Sequence, residues 1–450
     1  MKTLLIKNAR VLVTMDENRR ELKDGALYAV DGVIKAVGPA DELPHEADTM
    51  LDLRDHIVLP GLVNTHHHLY QSLTRTFAQD EPLFPWLQSL YPVWSHLTPD
   101  AIKVSAQVGI AELLLSGCTT TSDHLYLFPN GSRLDDSIEG AMEMGIRFHA
   151  TRGSMSVGES DGGLPPDSLV ENEAAILKDS QRLIETYHDA SEGSRLRIAL
   201  APCSPFSVSQ DLMRESAVLA RSMGVGLHTH LAENVEDIAF SKEKFGLTPG
   251  EYAQELGWIG DDVWHAHCVQ LNPDEISLFA RSGTGVAHCP CSNMRLGSGI
   301  APVREMYDAG VKVGLGVDGS ASNDSGHLLG EARQAMLLQR VKHGARGMKI
   351  REAIEVATVG GARVLNRDDV GILAPGYQAD FAAFKLDPLY HSGAELDPVA
   401  GLMLCTPANA NYTAVGGELL VKEGKITRLD MQPLLQKHRN IAVDLANKAQ

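Results

Sequence analysis

No apolar stretch of this 450-residue chain approaches the roughly 20 consecutive residues that cross a bilayer. Its longest candidates, residues 4–6 and the glutamate-interrupted run at 110–115, fall far short, so a membrane-spanning helix is excluded. Basic residues are also in deficit: 40 Lys and Arg against 58 Asp and Glu leave a formal charge of −18. Such a surface repels phosphate backbones, which excludes nucleic acid as the natural partner and leaves a small molecule. The opening "MKTLLIKNARVLVTMDENRR" lacks a continuous apolar core and a small-residue cleavage site. It reads as the start of the fold, with the cytoplasm as the expected location. Cysteine is sparse: Cys118, Cys203, Cys268, Cys289, Cys291 and Cys405 are scattered and expected to be free thiols. Cys289 and Cys291 stand too close together for half of a zinc knuckle.

Hydrophobic residues (44%) and 18 histidines are what the chain does have. The first is enough for a large core, and the second matters because neutral imidazole is the commonest metal ligand. Short β-rich runs and turns open the chain ("TLLIKNARVLVTM", "GALYAVDGVIKAVG", with Asp31-Gly32 as a hairpin signal) and return near its end in "ADFAAFKL" and "YTAVGGELLVKEGKITRL". These ends predict one small discontinuous β-sandwich domain from residues 1–59 and 369–450, the latter including a C-terminal helix.

Residues 60–368 alternate short apolar strands with helical stretches, the texture of parallel β/α architecture. Eight strand candidates stand out: "IVLPGLVNTHHH", "CTTTSDH", "IRFHATRG", "LRIALAPCS", "VGLHTHLAE", "VWHAHCV", "TGVAHCPCS" and "VKVGLGVD". One intervening helix, "DAIKVSAQVGIAELLLSG", has Thr98 or Asp100 as N-cap and Gly117 after its end. Eight such units predict an α/β fold, a closed (β/α)8 TIM-type barrel. Two connections exceed what a barrel needs. Residues 69–99 carry Phe77, Phe84, Trp86, Tyr91 and Trp94, and residues 153–170 are rich in Gly, Ser and Pro; both are expected to build or cover a site.

In "VNTHHHLYQ", strand alternation gives His66 and His68 one face, continued upstream by Leu62 and Asn64, and sends His67 to the other. "GVGLHTHLAE" aligns Gly224, Gly226, His228 and His230, with Glu233 three residues further on. "GVKVGLGVDGS" aligns Gly314, Gly316 and Asp318. The ends of strands 1, 5 and 8 thus offer His66, His68, His230 and Asp318, three nitrogens and an oxygen suited to Zn²⁺ or Fe²⁺. In "HAHCVQL", His267 is the better placed of a same-parity pair to orient a metal-bound hydroxide or a substrate oxygen, leaving His265 to fill the barrel. Bound to zinc, water's pKa falls from 15.7 to about 7; Asp318 is then the expected proton acceptor and Glu233 a donor to the leaving group. Metal-assisted hydrolysis is the reaction class. The cytidine-deaminase zinc route is excluded, because neither Pro202-Cys203 nor Pro290-Cys291 opens a P-C-x-x-C motif.

Taken in order, "PGLVNTHHH", "HTHLAE", "HAHCVQL", "HCPCSNMRLGSG" and "LGVDGSASND" resemble the amidohydrolase superfamily, in its branch of aromatic deaminases and triazine hydrolases, over essentially the whole chain. The resemblance implies a mononuclear site, since "LAPCSPF" has Cys203 where binuclear members carry a bridging lysine. It implies His66, His68, His230 and Asp318 as ligands of one divalent metal per subunit, zinc or ferrous iron. It implies Glu233 as proton shuttle to a ring nitrogen and His267 as a partner of the hydroxide or substrate. "HHHLYQSLTR" and "HCPCSNMRLGSG" look most like members that deaminate 8-oxoguanine to urate; s-triazines, guanine and S-adenosylhomocysteine are the alternative substrates. Expected substrate contacts are Gln71, whose amide can read a purine edge, Cys203 and Trp86. The assembly expected is a dimer or larger homo-oligomer.

Overall fold

The computed structural model describes residues 1–405 and 408–448. Eight parallel strands close into a barrel: Leu62–Asn64, Cys118–Leu125, Arg147–Ser154, Leu196–Pro202, Gly226–Leu231, Val263–His267, Gly285–His288 and Lys312–Leu315. Each of the eight segments read from the sequence coincides with one of them, the second and third strands running one residue further, and they are numbered here in that order.

The first segment holds two strands. His56–Pro60 pairs antiparallel with Phe381–Lys385 in a separate sheet, and the barrel strand begins only at Leu62. Gly61 makes the crossing; a Cβ there would meet Thr119 Oγ1 at 2.0 Å. The separate sheet has nine strands drawn from both ends of the chain. Three of its hairpins turn on residue pairs with positive φ: Asp31-Gly32, Gly416-Gly417 and Glu423-Gly424. That backbone matches the twist of the flanking strands, which is why such sequences favour two-residue turns. The sheet is pinned to the barrel by a buried bidentate pair, Arg147 Nε to Asp380 Oδ2 at 2.7 Å and Nη2 to Oδ1 at 2.9 Å.

Helices cover the barrel. Pro99–Leu115 starts at Thr98, whose Oγ1 accepts the Ala101 N–H (3.2 Å), the better of the two caps the sequence offered. The N-terminal mouth is plugged by Val63, Ala199, Trp264 and Ala287 against Val364 and Leu365. The C-terminal mouth stays accessible under Leu83–Trp94, a helix within the first long connection. The second connection does less than expected: it forms two short turns, Glu159–Asp161 and Asp167–Leu169, and supplies no wall of the central pocket. It reaches the site indirectly, through the Ser154 carbonyl, which accepts the Cys203 N–H (2.9 Å), and through Met155 Sδ, 3.9 Å from the Tyr91 hydroxyl. All six cysteines are unpaired. No described helix is long and apolar enough to cross a membrane.

Candidate active site

The first barrel strand brings His66 and His68 together by a route that simple alternation does not give. Its register sets Val63 beside Thr120, and Asn64 beside Thr121 and Leu315, a residue of the helix-facing core. Val63 therefore faces inward and Asn64 outward, where its amide bridges Thr121 Oγ1 (3.0 Å) and the Val317 N–H (2.9 Å). Leu62 and Asn64 do not continue an inward face as expected. Regular alternation would point His66 away. Instead the strand ends at Asn64, the backbone departs from β geometry (His68 φ −129°, ψ 83°), and both imidazoles turn into the mouth. Glycine makes room: a Cβ on Gly316 would stand 2.8 Å from His66 Cβ. His67 points elsewhere, as expected; its Nδ1 accepts the His68 N–H (2.8 Å) and its ring lies toward Gly109.

Strand 5 follows its pattern. Gly226, His228 and His230 share the inner face, and a Cβ on Gly226 would meet the Trp264 ring at 2.9 Å. Gly224 has another role: with φ 68° it caps the preceding helix.

The hydrogen bonds behind the three rings fix where their protons sit. His68 Nδ1 donates to the His124 carbonyl (2.6 Å) and His230 Nδ1 to the Cys203 carbonyl (2.7 Å). His228 Nδ1 donates to the Trp264 carbonyl (2.9 Å), so its Nε2 must accept from His66 Nδ1 at 2.8 Å. Each of His66, His68 and His230 is thereby left with a bare Nε2 lone pair. Those of His68 and His230 are 3.1 Å apart, and His66 Nε2 has no hydrogen-bond partner among the described residues. Asp318 Oδ1 stands 3.2 Å from His66 Nε2 and 3.4 Å from His68 Nε2. Asp318 Oδ2 is occupied by the hydroxyls of Ser292 (2.6 Å) and Ser322 (2.8 Å).

Burial keeps these rings neutral: His66 is held well below the ordinary imidazole value, and His230 falls to about 3, the latter helped by His68 and His267. Converging lone pairs beside a carboxylate, with no proton available between them, form a donor set that fits a divalent cation. Two overlapping clusters have ligand atoms mutually within 4.8 Å: His66, His68, His124 and His230, and His66, His267 and Asp318. The four expected ligands are divided between them, with His66 common to both.

Glu233 and His267 complete the mouth, with Glu233 Oε2 3.5 Å from His267 Nε2. Burial, then Asp237 and Asp318, push the Glu233 carboxyl well above its usual range, which favours its protonated form. His265 does not fill the barrel; it lies outside, Nε2 to the Trp258 carbonyl (2.9 Å) and tilted on Phe279. The register would send His267 the same way. It reaches the mouth because His267 and Cys268 adopt left-handed backbone (φ 70° and 50°), a conformation that costs non-glycine residues. Ala232 (φ 53°) and Asp318 (φ 61°) share it at the exits of strands 5 and 8.

Gln71, Cys203 and Trp86 all line the pocket above these groups, with Leu87, Tyr91 and Phe206 among its apolar walls. Gln71 is buried on the turn Leu69–Thr74, its Oε1 accepting the Ala321 N–H (3.4 Å). It lies so close to Gly319 that a Cβ there would be 1.8 Å from Oε1. Trp86 Nε1 donates to the Ala321 carbonyl (3.0 Å). Burial pushes the Cys203 thiol up to about 12, so it is present as the protonated thiol. Sequence reasoning missed His124, Ser292, Ser322 and Asn293. It placed His228 on the inner face without giving it a task. Only His228 had a local signal, as the first histidine of H-x-H.

Residues 57–420 match the amidohydrolase family. The chain belongs to that family. Among its relatives, the 8-oxoguanine deaminase of Pseudomonas aeruginosa is 48% identical over 93% of this chain and 94% of its own. An isoxanthopterin deaminase from an unknown prokaryotic organism is 38% identical over 98% and 97%. Among solved structures, the atrazine chlorohydrolase of Arthrobacter aurescens TC1 complexed with zinc superposes with a TM-score of 0.92 at 35% identity, over 98% of this chain and all of that one. The protein is an amidohydrolase-family enzyme of the aminohydrolase type.

Proposed function

We propose that this amidohydrolase removes the exocyclic amino group of 8-oxoguanine, consuming water and releasing urate and ammonia. Its cofactor is one zinc ion held by His66, His68, His230 and Asp318. The observation that carries the reaction class is the set of three directed lone pairs and a carboxylate beside the buried Glu233. The substrate rests on the 48% identity to the Pseudomonas aeruginosa deaminase.

A divalent ion at these residues supplies Lewis acidity, lowering the pKa of water from 15.7 to about 7. The Asp318 carboxylate takes the proton released as water adds to the amino-bearing carbon. Glu233 delivers its own proton to the adjacent ring nitrogen and, once ionised, takes the proton of the added hydroxyl as that group becomes a carbonyl, while the proton held by Asp318 passes to the departing amine, so that both carboxyl groups return to their starting states. His267 holds Glu233 and the incoming oxygen in place. Gln71 presents both an acceptor and donors to the carbonyl and N–H groups of the purine edge. Trp86, Leu87, Tyr91 and Phe206 exclude bulk water, which strengthens each of these polar interactions. Hydrolysis of an s-triazine is the second reading, favoured by the superposition on the atrazine chlorohydrolase.

The test is ammonia release by zinc-loaded protein from 8-oxoguanine, isoxanthopterin, guanine and a hydroxytriazine, with alkylamine and chloride measured in parallel. We expect 8-oxoguanine to have the highest kcat/KM by at least about tenfold, a margin of about 1.4 kcal/mol. Fast turnover of another compound beside negligible turnover of 8-oxoguanine would overturn the substrate and leave the reaction class. No hydrolysis of any of them would overturn both.

A further inference from the structure

The motif "HCPCSNMRLGSG" enters the site through two adjacent side chains on the short helix Pro290–Arg295. Ser292 Oγ donates to Asp318 Oδ2, and Asn293 Oδ1 lies 3.0 Å from His267 Nδ1. The helix itself is clamped from behind. Buried Glu331 accepts the Cys291 N–H (3.2 Å) on Oε2 and the Asn323 amide (2.6 Å) on Oε1, while Asn323 also donates to the Val317 carbonyl (2.7 Å). Asn293 is completely buried and cannot swing to another partner in water. His267 cannot adjust either, because its place depends on the consecutive left-handed residues His267 and Cys268. The contact between them is therefore fixed at both ends.

An amide beside an imidazole can work in two ways. Its oxygen can accept from Nδ1–H, leaving Nε2 bare, or its NH₂ can donate to a bare Nδ1, leaving the proton on Nε2. The atom nearest Nδ1 distinguishes them: it is the amide oxygen Asn293 Oδ1, 3.0 Å away, which can only accept. Glu233 Oε2 lies on the opposite side of the ring, 3.5 Å from Nε2. We infer that Asn293 is a positioning residue: its side-chain oxygen fixes the proton of His267 on Nδ1, so that Nε2 is presented as a lone pair to Glu233 and the reacting oxygen. No role of Asn293 was legible in the residues around it, since His267 is 26 positions away. The inference rests on the deaminase reading for its kinetic consequence, but not for the proton's location.

Neutron diffraction from perdeuterated, zinc-loaded protein locates that proton directly. Deuterium on His267 Nδ1 and none on Nε2 is the expected result, and deuterium on Nε2 overturns the assignment whatever the substrate. Kinetics of Asn293→Leu and Asn293→Asp test the consequence, with zinc content measured for each. Leu removes the acceptor, and we expect kcat to fall about 100-fold while KM stays within about threefold and zinc remains equimolar, the scale of losses seen when the partner of a site histidine is removed. Asp restores an oxygen that can only accept, and it should recover at least about tenfold over Leu. If Leu turns over like wild type, or Asp is no better than Leu, the positioning role is wrong. A wild-type protein inactive on every heterocycle would overturn the functional reading alone, since the neutron map still decides the tautomer.

Discussion

His68 and His230 hold their Nε2 atoms 3.1 Å apart with each ring proton committed to a carbonyl behind it. Facing lone pairs repel, so the folded protein carries a local cost that a cation removes. Zinc should therefore raise Tm, by roughly 5 °C or more when it is about a thousandfold above Kd, and a chelator should reverse the gain. Differential scanning calorimetry checks this. A Tm indifferent to zinc would mean that these lone pairs are not a metal site.

Glu233 lies apart from the four expected ligands and has a separate task. In Glu233→Gln the amide fills the same volume but cannot cycle a proton. Metal content should stay at the wild-type level while kcat falls about 10²–10⁴-fold, the usual worth of a general acid–base group. Atomic absorption and ammonia release on the same sample separate the two effects, and a near-normal rate would remove Glu233 from the mechanism.

Gly319 is a sharper probe of Gln71 than mutation of Gln71 itself. A methyl group there would lie 1.8 Å from Gln71 Oε1 and must push the amide off its position. Gly319→Ala should raise KM for the preferred heterocycle about tenfold or more, with zinc affinity preserved. Unchanged KM would show that the Gln71 amide does not read the substrate.

The turn that carries Gln71 is braced from the C-terminal helix Met431–Lys448, where His438 Nε2 is 3.1 Å from Ser72 Oγ. Burial, with Arg75 nearby, lowers His438 to about 4. A depressed histidine contributes stability that is complete above its unfolded value near 6.5 and is lost as the pH falls toward 4. Because the ring is partly exposed, solvent screening reduces the effect to about 1 kcal/mol. Hydrogen exchange in the helix and in Leu69–Thr74 should accelerate between pH 6.5 and 4, and His438→Gln should blunt that change. Equal pH dependence in both proteins would show that the brace is unimportant.

Regular stretches of chain announced themselves. Strand 5 runs unbroken through His228 and His230, so its alternation was readable, as were the turn pairs Asp31-Gly32 and Gly416-Gly417. The two histidines that the first motif pairs, His66 and His68, do face one mouth, but not by the alternation that suggested it, which the chain abandons after Asn64. Nothing local marks His267 and Cys268 for left-handed backbone, which non-glycine residues adopt only when surrounding contacts enforce it. The partners that set the ring protons were still less visible. Four of them are backbone carbonyls or side chains on other strands or just past their ends, brought alongside only when the barrel closes.

One measurement bears most directly on the arrangement of lone pairs. An anomalous difference map from zinc-loaded crystals, recorded on either side of the zinc absorption edge, should contain a single strong peak bonded to His66, His68 and His230 Nε2 and to Asp318. The bond lengths should be about 2.0–2.2 Å. A peak that engages His124 in place of Asp318, or the absence of any peak among these residues, would contradict the site as described.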